Sequence, residues 1–258
     1  MSAIPVLVVA GVGNGTGTGA AVARLFAKKG YRVALISRNP DHPNRLASEI
    51  NNEGREAAAF IIPDYSYSAT LSVFDTISAH KWNSEGPSEL RVGVWNAGAD
   101  AWKGFLDVTE QDIAKSVQVQ VIAAFAFSRG AILKFKENPL DERGRRGTLI
   151  FTGATASLRG NVRTSTFATG KFGTRALSQS LAKEFGKQNI HVAHVIIDGV
   201  IDTTKGPAYQ SGEEVDRDNN PDIRLDANSI AANYLNLVEQ DRSAWTWELD
   251  LRPAHEKW

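Results

Sequence analysis

The chain has 258 residues, a length that one α/β domain can fill around a single core, so the sequence predicts one domain over residues 1–258. Lysine and arginine total 29, as do aspartate and glutamate, and this zero formal charge argues against nucleic-acid or membrane partners. Cysteine is absent, which excludes a disulfide framework and thiolate metal sites, and we expect a cytoplasmic protein.

Short apolar segments alternate with segments of helical periodicity along the chain. The predicted strands are residues 4–10, 32–37, 57–62, 90–96, 148–152, 190–197 and 245–250. The predicted helices are residues 17–29, 43–52, 69–82, 110–136, 166–187 and 227–239. This alternation predicts an α/β fold with a parallel sheet of about seven strands and helices on both faces. Residues 202–225 are polar and lack periodicity, so we expect a substrate lid there.

A glycine-rich turn follows the first predicted strand, in the segment AGVGNGTGTG. Glycine permits a tight turn and a close approach of backbone to phosphate, and the helix that follows offers free N–H donors. The turn has no lysine, so it does not fit a nucleoside-triphosphate loop. We therefore predict a dinucleotide site, for which the turn supplies Gly11, Asn14, Gly15, Thr16 and Gly17.

The second predicted strand ends at Ser37 and Arg38, where a site for NAD(H) usually has an acidic residue. A guanidinium group suits a 2′-phosphate, so NADP(H) is favoured and NAD(H) stays possible. A solvated surface arginine is the alternative interpretation. Asp64, after the third strand, is a candidate for the adenine amino group, although aspartate is also a common turn residue.

After the fourth strand come three small residues that would let the adenosine ribose lie against the backbone: Asn96, Ala97 and Gly98. Trp102, shortly after them, is a candidate wall for an apolar substrate pocket, with a surface or interface position as the alternative. None of the five histidines forms a helical pair suited to zinc, so no metal site is expected.

Taken together, the motifs resemble those of the short-chain dehydrogenase/reductase (SDR) family across essentially the whole chain. They are A-G-x-x-x-G-x-G at 10–17, N-A-G at 96–98, Lys171 in a helix, and DGVIDT at 198–203, where Asp198 replaces the usual proline. The resemblance implies a single-domain, doubly wound Rossmann-type sheet, a nicotinamide cofactor, and a homodimer or homotetramer built partly on the fourth and fifth helices. It also implies that Gly199, Val200, Ile201 and Thr203 hold the carboxamide and pyrophosphate.

The family's usual catalytic residues are Asn, Ser, Tyr and Lys, and here only Lys171 matches. The tyrosine, which normally donates a proton to the carbonyl oxygen, is replaced by Phe167 in an F-x-x-x-K pattern. Ala154 stands where the serine is expected, with Thr155 beside it, and Gln120 takes the asparagine position. None of the five tyrosines lies near the fifth predicted helix, so the usual acid is absent. The chain resembles a divergent subgroup of the family in the segments FTGATASLRG (151–160), HVAHVIIDGVIDT (191–203) and RSAWTWELDLRP (242–253).

Two functions remain open. In the first, the protein is an NADP(H)-dependent reductase of a small carbonyl substrate, and Lys171 and Thr155 replace the missing tyrosine and serine. Tyr209 in the expected lid is a further candidate proton donor. Loss of a general acid costs about 10²- to 10⁴-fold, which slows hydride transfer without abolishing it. In the second, the protein binds NADP(H) as a sensor or scaffold, or catalyses a non-redox reaction, and Lys171 only binds ribose.

We favour the reductase, and we expect Phe167 to face the site. Asp198 could act as a base near the nicotinamide. Aspartate before glycine is ordinary turn chemistry, however, and the sequence favours that role.

Overall fold

The computed structural model describes residues 3–99, 101–203 and 221–255. Seven strands form one parallel sheet in the order β3-β2-β1-β4-β5-β6-β9. Strands β7 and β8 pair separately. The strand bounds are β1 Ile4–Ala10, β2 Arg32–Ser37, β3 Ala57–Ile61, β4 Ser88–Trp95, β5 Gly147–Thr152, β6 Ile190–Ile197, β7 Ile201–Asp202, β8 Leu225–Asp226 and β9 Glu248–Leu251.

Helices connect the strands and cover both faces of the sheet. Their bounds are α1 Thr18–Lys28, α2 Asp41–Asn52, α3 Tyr67–Ala79, α4 Glu110–Val117, α5 Ala123–Glu137, α6 Ser165–Phe185 and α7 Ala227–Glu239. Side chains alternate along the strands, so Leu7 and Val9 pack with α1, α2 and α7, whereas Val6 and Val8 pack with α3, α5 and α6. The predicted α/β sheet with two covered faces is confirmed.

The strand order reverses between β1 and β4. Strands β2 and β3 extend the sheet to one side of β1, and β4, β5, β6 and β9 extend it to the other. In doubly wound sheets, the crevice at such a reversal, outside the carboxyl ends of the strands, is where ligands bind.

Two predicted elements differ from the structure. The single helix predicted over 110–136 is interrupted between α4 and α5 by a π-helical turn, Gln118–Ile122, which inserts an extra residue into the helix. The strand predicted over 245–250 begins only at Glu248, because Trp245 stacks its ring on His191 instead of entering the sheet.

The stretch Glu110–Glu137 is long enough to cross a membrane, and its most apolar 18-residue window has a mean hydropathy of 1.4. In the fold, 61% of its most apolar window is buried inside the protein. That burial is what a core helix of a soluble domain requires, so composition alone does not make this helix a membrane span.

The expected lid over 202–225 falls mostly on residues 204–220, which lie outside the described part of the chain, as does Tyr209. Both remain predictions. At its base, Ile201 pairs with Leu225 and Asp202 pairs with Asp226. The short strand that follows β6 and the short strand that precedes α7 therefore lie side by side.

Candidate active site

Two clefts open along the carboxyl edge of the sheet. The first, of about 750 Å³, is lined by residues that follow β1, β2 and β4. The second, of about 970 Å³, is lined by residues that follow β5 and β6 and by α6. A Cβ added to Gly17 would lie 3.7 Å from Cγ2 of Thr203, which lines the second cleft, so the glycine turn adjoins both clefts. An elongated ligand could therefore extend along this edge from one cleft to the other.

The glycine turn has a conformation that requires glycine. Gly11 and Gly15 have φ angles of +91° and +95°, in the region that residues with a Cβ rarely adopt. A Cβ on Gly11 would also lie 2.6 Å from the backbone nitrogen of Ala97. The turn thus brings bare backbone to the wall of the first cleft, which suits a phosphate-bearing ligand.

Two arginines, which sequence analysis missed, hold the outer side of the turn. Arg24 donates to the Gly15 carbonyl at 2.9 Å, and Arg45 donates to the Asn14 carbonyl at 3.0 Å. The Asn14 side chain in turn accepts hydrogen bonds from the Thr16 amide and hydroxyl, at 3.1 and 2.6 Å. These contacts fix the turn before any ligand binds.

The first cleft also contains the predicted residues from β2 and β4. Ser37 and Arg38 line it, as do Asn96, Ala97 and Gly98. The Asn96 amide donates to the Gly11 carbonyl at 2.6 Å and so ties the end of β4 to the glycine turn.

Arg38 is exposed, and its guanidinium carbon lies 5.0 Å from the centre of the Tyr65 ring. Burial of Tyr65 raises the pKa of its hydroxyl to about 12, so it stays neutral beneath this cation. Asp41 lines the same cleft, so this end of the cleft carries one negative charge as well.

Asp64 is placed differently from the sequence expectation. Its side chain is exposed and accepts a hydrogen bond from the Ser66 amide at 2.8 Å, and contact with Ser66 lowers the pKa of the carboxyl group. The residue on the cleft wall is its neighbour Tyr65. The turn role explains Asp64 here, because an aspartate that caps its own turn has its carboxylate engaged with the backbone.

Lys171 lines the second cleft. Its side chain is 7% exposed, and its ammonium group donates to the Thr152 carbonyl at 2.7 Å. Phe167, one helical turn earlier, lines the same cleft. The Phe167 ring lies 5.5 Å from the Trp102 ring, and the two form an apolar wall beside Lys171.

Thr155 and Ala154 also line the second cleft, after β5. Thr155 donates its hydroxyl hydrogen to Oδ1 of Asp198. The sequence expectation that Thr155 polarises a carbonyl as a donor is therefore not met in this arrangement, where its hydrogen is directed to the carboxylate. Its oxygen is left as an acceptor.

Asp198 is 1% exposed, and its carboxylate is engaged across the fold rather than in a local turn. Nη2 of Arg252 lies 2.8 Å from its Oδ2, and Nη2 of Arg159 lies 3.7 Å from the same oxygen. The interpretation of Asp198 as a turn residue is wrong for its side chain. A buried carboxylate needs such a partner, because desolvation disfavours an unpaired charge.

Gln120 is not among the residues that line the second cleft. Its side chain is 1% exposed and donates to the Ala99 carbonyl at 2.8 Å and to the Ser116 hydroxyl at 3.0 Å. A Cβ on Gly170 would lie 2.4 Å from its Nε2, so the amide packs directly on α6. The residue at the expected asparagine position therefore supports the wall of the site.

Further site residues were not found from the sequence. The Tyr234 hydroxyl lies 2.8 Å from the Thr152 hydroxyl, and burial raises the Tyr234 pKa. His194 lies behind Gly153, where a Cβ would be 2.3 Å from His194 Nε2. Burial lowers the pKa of His194 to about 4 although Glu248 is 3.1 Å away. Arg252, which pairs with Asp198, was also missed, because the sequence shows only a charged residue just after the last predicted strand.

Comparisons with known proteins agree on one family. The family model for short chain dehydrogenase matches residues 6–213. The 3-oxoacyl-[acyl-carrier-protein] reductase of Rattus norvegicus is 28% identical over 191 residues, 74% of each chain. A short-chain dehydrogenase from Rhodopseudomonas palustris superposes with a TM-score of 0.75 at 30% identity, covering 96% of this chain and 98% of that one. A short chain dehydrogenase from Burkholderia cenocepacia J2315, in complex with NADP, has a TM-score of 0.79 at 24% identity, covering 96% of both chains.

Proposed function

The chain belongs to the short chain dehydrogenase family, and from that premise we propose that it is an oxidoreductase that uses NADP(H) to reduce a small carbonyl compound. The observation that carries the proposal is the position of Lys171. This buried lysine lines the second cleft. The glycine turn, which borders the first cleft, also adjoins the second cleft. In doubly wound folds a dinucleotide binds across the crevice at the carboxyl edge of the sheet, so the positions of Lys171 and the glycine turn support a cofactor that extends between them.

The residues of the first cleft fit a dinucleotide. The glycine turn offers backbone at positions where a Cβ would clash, as at Gly11, and Arg38 supplies a guanidinium group at the end of β2. A guanidinium group pairs well with a 2′-phosphate, which supports the preference for NADP(H). Gly199, Val200, Ile201 and Thr203 line the second cleft, where the nicotinamide end would lie. When bound, the nicotinamide cofactor supplies or accepts a hydride.

Within the second cleft, the chain's own residues orient the substrate and provide the proton. Trp102 and Phe167 exclude water from one side of the carbonyl group. Lys171, held by the Thr152 carbonyl, places a cation beside the carbonyl oxygen, stabilises the negative charge that develops there and donates the proton. Thr155 acts as an acceptor, because its hydrogen is directed to Asp198.

The alternative function is binding of NADP(H) without redox chemistry, and one observation favours it. Phe167 has no proton to give, and the Thr155 hydrogen bond to Asp198 removes the second replacement donor that the sequence suggested. Lys171 would then serve only as a ribose ligand.

One experiment separates the two functions. NADPH and NADH are titrated by fluorescence, and NADPH deuterated at C4 is then incubated with a panel of ketones, aldehydes and enones. Deuterium in a product supports the reductase. Tight NADPH binding without label in any product supports the binding function, and absence of binding to either cofactor contradicts both.

We also propose that the protein forms a homodimer or homotetramer. Large apolar side chains are exposed on the outer faces of the π turn, α5 and α6: Ile122, Phe125, Leu133 and Phe172. Exposed apolar patches of this kind mark association surfaces. Light scattering after size exclusion tests the assembly, and a Phe125→Glu variant is expected to shift it towards monomer.

A further inference from the structure

The second cleft carries more positive than negative charge. Lys171 and Arg159 both line it, and Arg252 lies directly behind it. Asp198 is the acidic residue among these groups, and Arg252 at 2.8 Å already compensates its charge. Asp250 also lies 2.9 Å from Arg252, so these five groups together leave the described cleft with an excess of one positive charge. This charge favours an anionic ligand and disfavours a cationic one such as an iminium ion.

Arg159 is the part of this charge that faces the opening. Its side chain is 45% exposed, and its Nη2 lies 3.7 Å from Oδ2 of Asp198, beyond hydrogen-bond distance. Asp198 is meanwhile held at shorter range by Arg252 and by the Thr155 hydroxyl. Arg159 therefore presents a guanidinium group, with its fork of N–H donors, that its nearest carboxylate does not bind tightly. Such a fork matches a carboxylate in two-bonded geometry.

Arg159 lies near Thr155, because both side chains approach the carboxyl group of Asp198. Thr155 contacts one oxygen of the Asp198 carboxyl group, and Arg159 approaches the other. An anionic group bound to Arg159 and a carbonyl group beside Thr155 and Lys171 could therefore belong to one small molecule. The apolar wall of Trp102 and Phe167 on the other side would accept the uncharged remainder of the molecule.

From this arrangement we infer that the substrate is a small oxo acid, whose carboxylate binds Arg159 while its carbonyl group lies beside Lys171. The inference rests on the proposed reductase function. The oxo acid gains a hydride at the carbonyl carbon and a proton, from Lys171, at the carbonyl oxygen. It becomes a hydroxy acid while NADPH is oxidised to NADP⁺. Arg159 is then a specificity-determining residue that touches the substrate.

The kinetic test compares acids with neutral compounds of the same length. Values of kcat/KM are measured with NADPH for 2-oxobutanoate and 3-oxobutanoate, and for butanone and the methyl ester of each acid. The natural protein is expected to prefer an acid by about tenfold or more, the range that a charge-assisted hydrogen bond supplies. Acids that are no better than the neutral compounds would overturn the inference.

Three variants locate the effect. Arg159→Met is expected to lower kcat/KM for the acids by about 10- to 100-fold and to lower that for the neutral compounds much less. Arg159→Lys is expected to recover part of the loss, since it restores the charge without the fork. Arg55→Met removes the same charge from the exposed segment before β3, at the opposite edge of the sheet, and should change neither value. An equal loss for acids and neutral compounds in Arg159→Met would refute the assignment.

A binding measurement separates failure of the inference from failure of the proposed function. Calorimetric titration of 2-oxobutanoate into the NADP⁺ complex needs no hydride transfer. If the natural protein binds 2-oxobutanoate, Arg159→Met does not bind it, and no compound is reduced, the carboxylate site is supported and the reductase function is rejected. Reduction of neutral ketones with no binding of the acid would keep the reductase and reject the carboxylate site. Affinity for NADPH, measured in each variant, reports whether that variant is folded.

Discussion

The ammonium nitrogen of Lys171 lies 5.6 Å from the centre of the Phe167 ring, one turn earlier on α6. A cation over an aromatic ring is stabilised by the ring's quadrupole, but a phenyl ring has no proton to pass on. The position that would carry a phenolic acid therefore stabilises the charge of Lys171 instead. Phe167 itself therefore cannot donate a proton in the second cleft.

Phe167→Tyr is expected to raise the rate of carbonyl reduction, by up to about 10²- to 10⁴-fold, because it places a general acid in the second cleft. Affinity for NADPH should not change. Single-turnover rates with NADPH measure the effect, and Phe172→Tyr, on the exposed face of the same helix, is the matched control. Equal rates in the natural protein and Phe167→Tyr would mean that the missing hydroxyl does not limit the reaction.

Lys171→Met is expected to weaken NADPH binding by about tenfold or more, whichever of the two functions is correct. The variant keeps most of the buried side-chain volume but leaves the Thr152 carbonyl without its donor. Fluorescence titration measures the affinity. Lys183→Met removes an exposed lysine from the same helix and should have no effect. Unchanged affinity in Lys171→Met would exclude contact between Lys171 and the cofactor.

Arg38→Asp is expected to reverse the cofactor preference. The substitution replaces a guanidinium group in the first cleft by a carboxylate, which repels a 2′-phosphate and accepts hydrogen bonds from a ribose hydroxyl. NADPH should bind about 10²-fold more weakly, and NADH about as well as before. The ratio of the two dissociation constants is the measurement. A variant that still prefers NADPH would refute the assignment of Arg38 to the 2′-phosphate.

Asp198→Asn is expected to destabilise the fold, since it leaves Arg252 without its buried counter-ion. The cost approaches about 3 kcal/mol, below that of a fully isolated charge because Asp250 also lies 2.9 Å from Arg252. Urea unfolding measures it. The control is Asp250→Asn, which removes an exposed partner of the same arginine and should cost under about 1 kcal/mol. The double variant Asp198→Asn with Arg252→Met should recover part of the loss, and strict additivity would argue against the pair.

The free energy of unfolding is expected to fall as the pH falls from about 6.5 to about 4. His194 is 1% exposed, and burial lowers its pKa from 6.5 to about 4, so the unfolded chain takes up a proton in this window before the folded chain does. The loss from this residue amounts to about 3 kcal/mol at the lower end. Urea unfolding at pH 7 and pH 5 checks it. His194→Gln should flatten the pH dependence, whereas a steep dependence that persists in this variant would assign it to other groups. The exposed His255→Gln is the control and should leave the dependence unchanged.

The sequence by itself determined the fold class and the residues that line the first cleft. The periodicity and the length of apolar segments are local properties of the sequence. They predicted all seven strands of the main sheet near their observed positions. The positive φ angles at Gly11 and Gly15 also follow from the local sequence, because only glycine adopts such angles freely. The residues after β1, β2 and β4 could therefore be assigned to one cleft from their order along the chain.

Only the tertiary structure decided the chemistry of the second cleft. Thr155 and Asp198 are 43 positions apart, and Arg252 comes from another strand end, so no local pattern links them. They meet because β5, β6 and β9 are neighbours in the sheet and end at the same edge. The sequence therefore left Asp198 as a turn residue and Thr155 as a donor. The contact between them, which depends on strand order, determines where the hydroxyl hydrogen points.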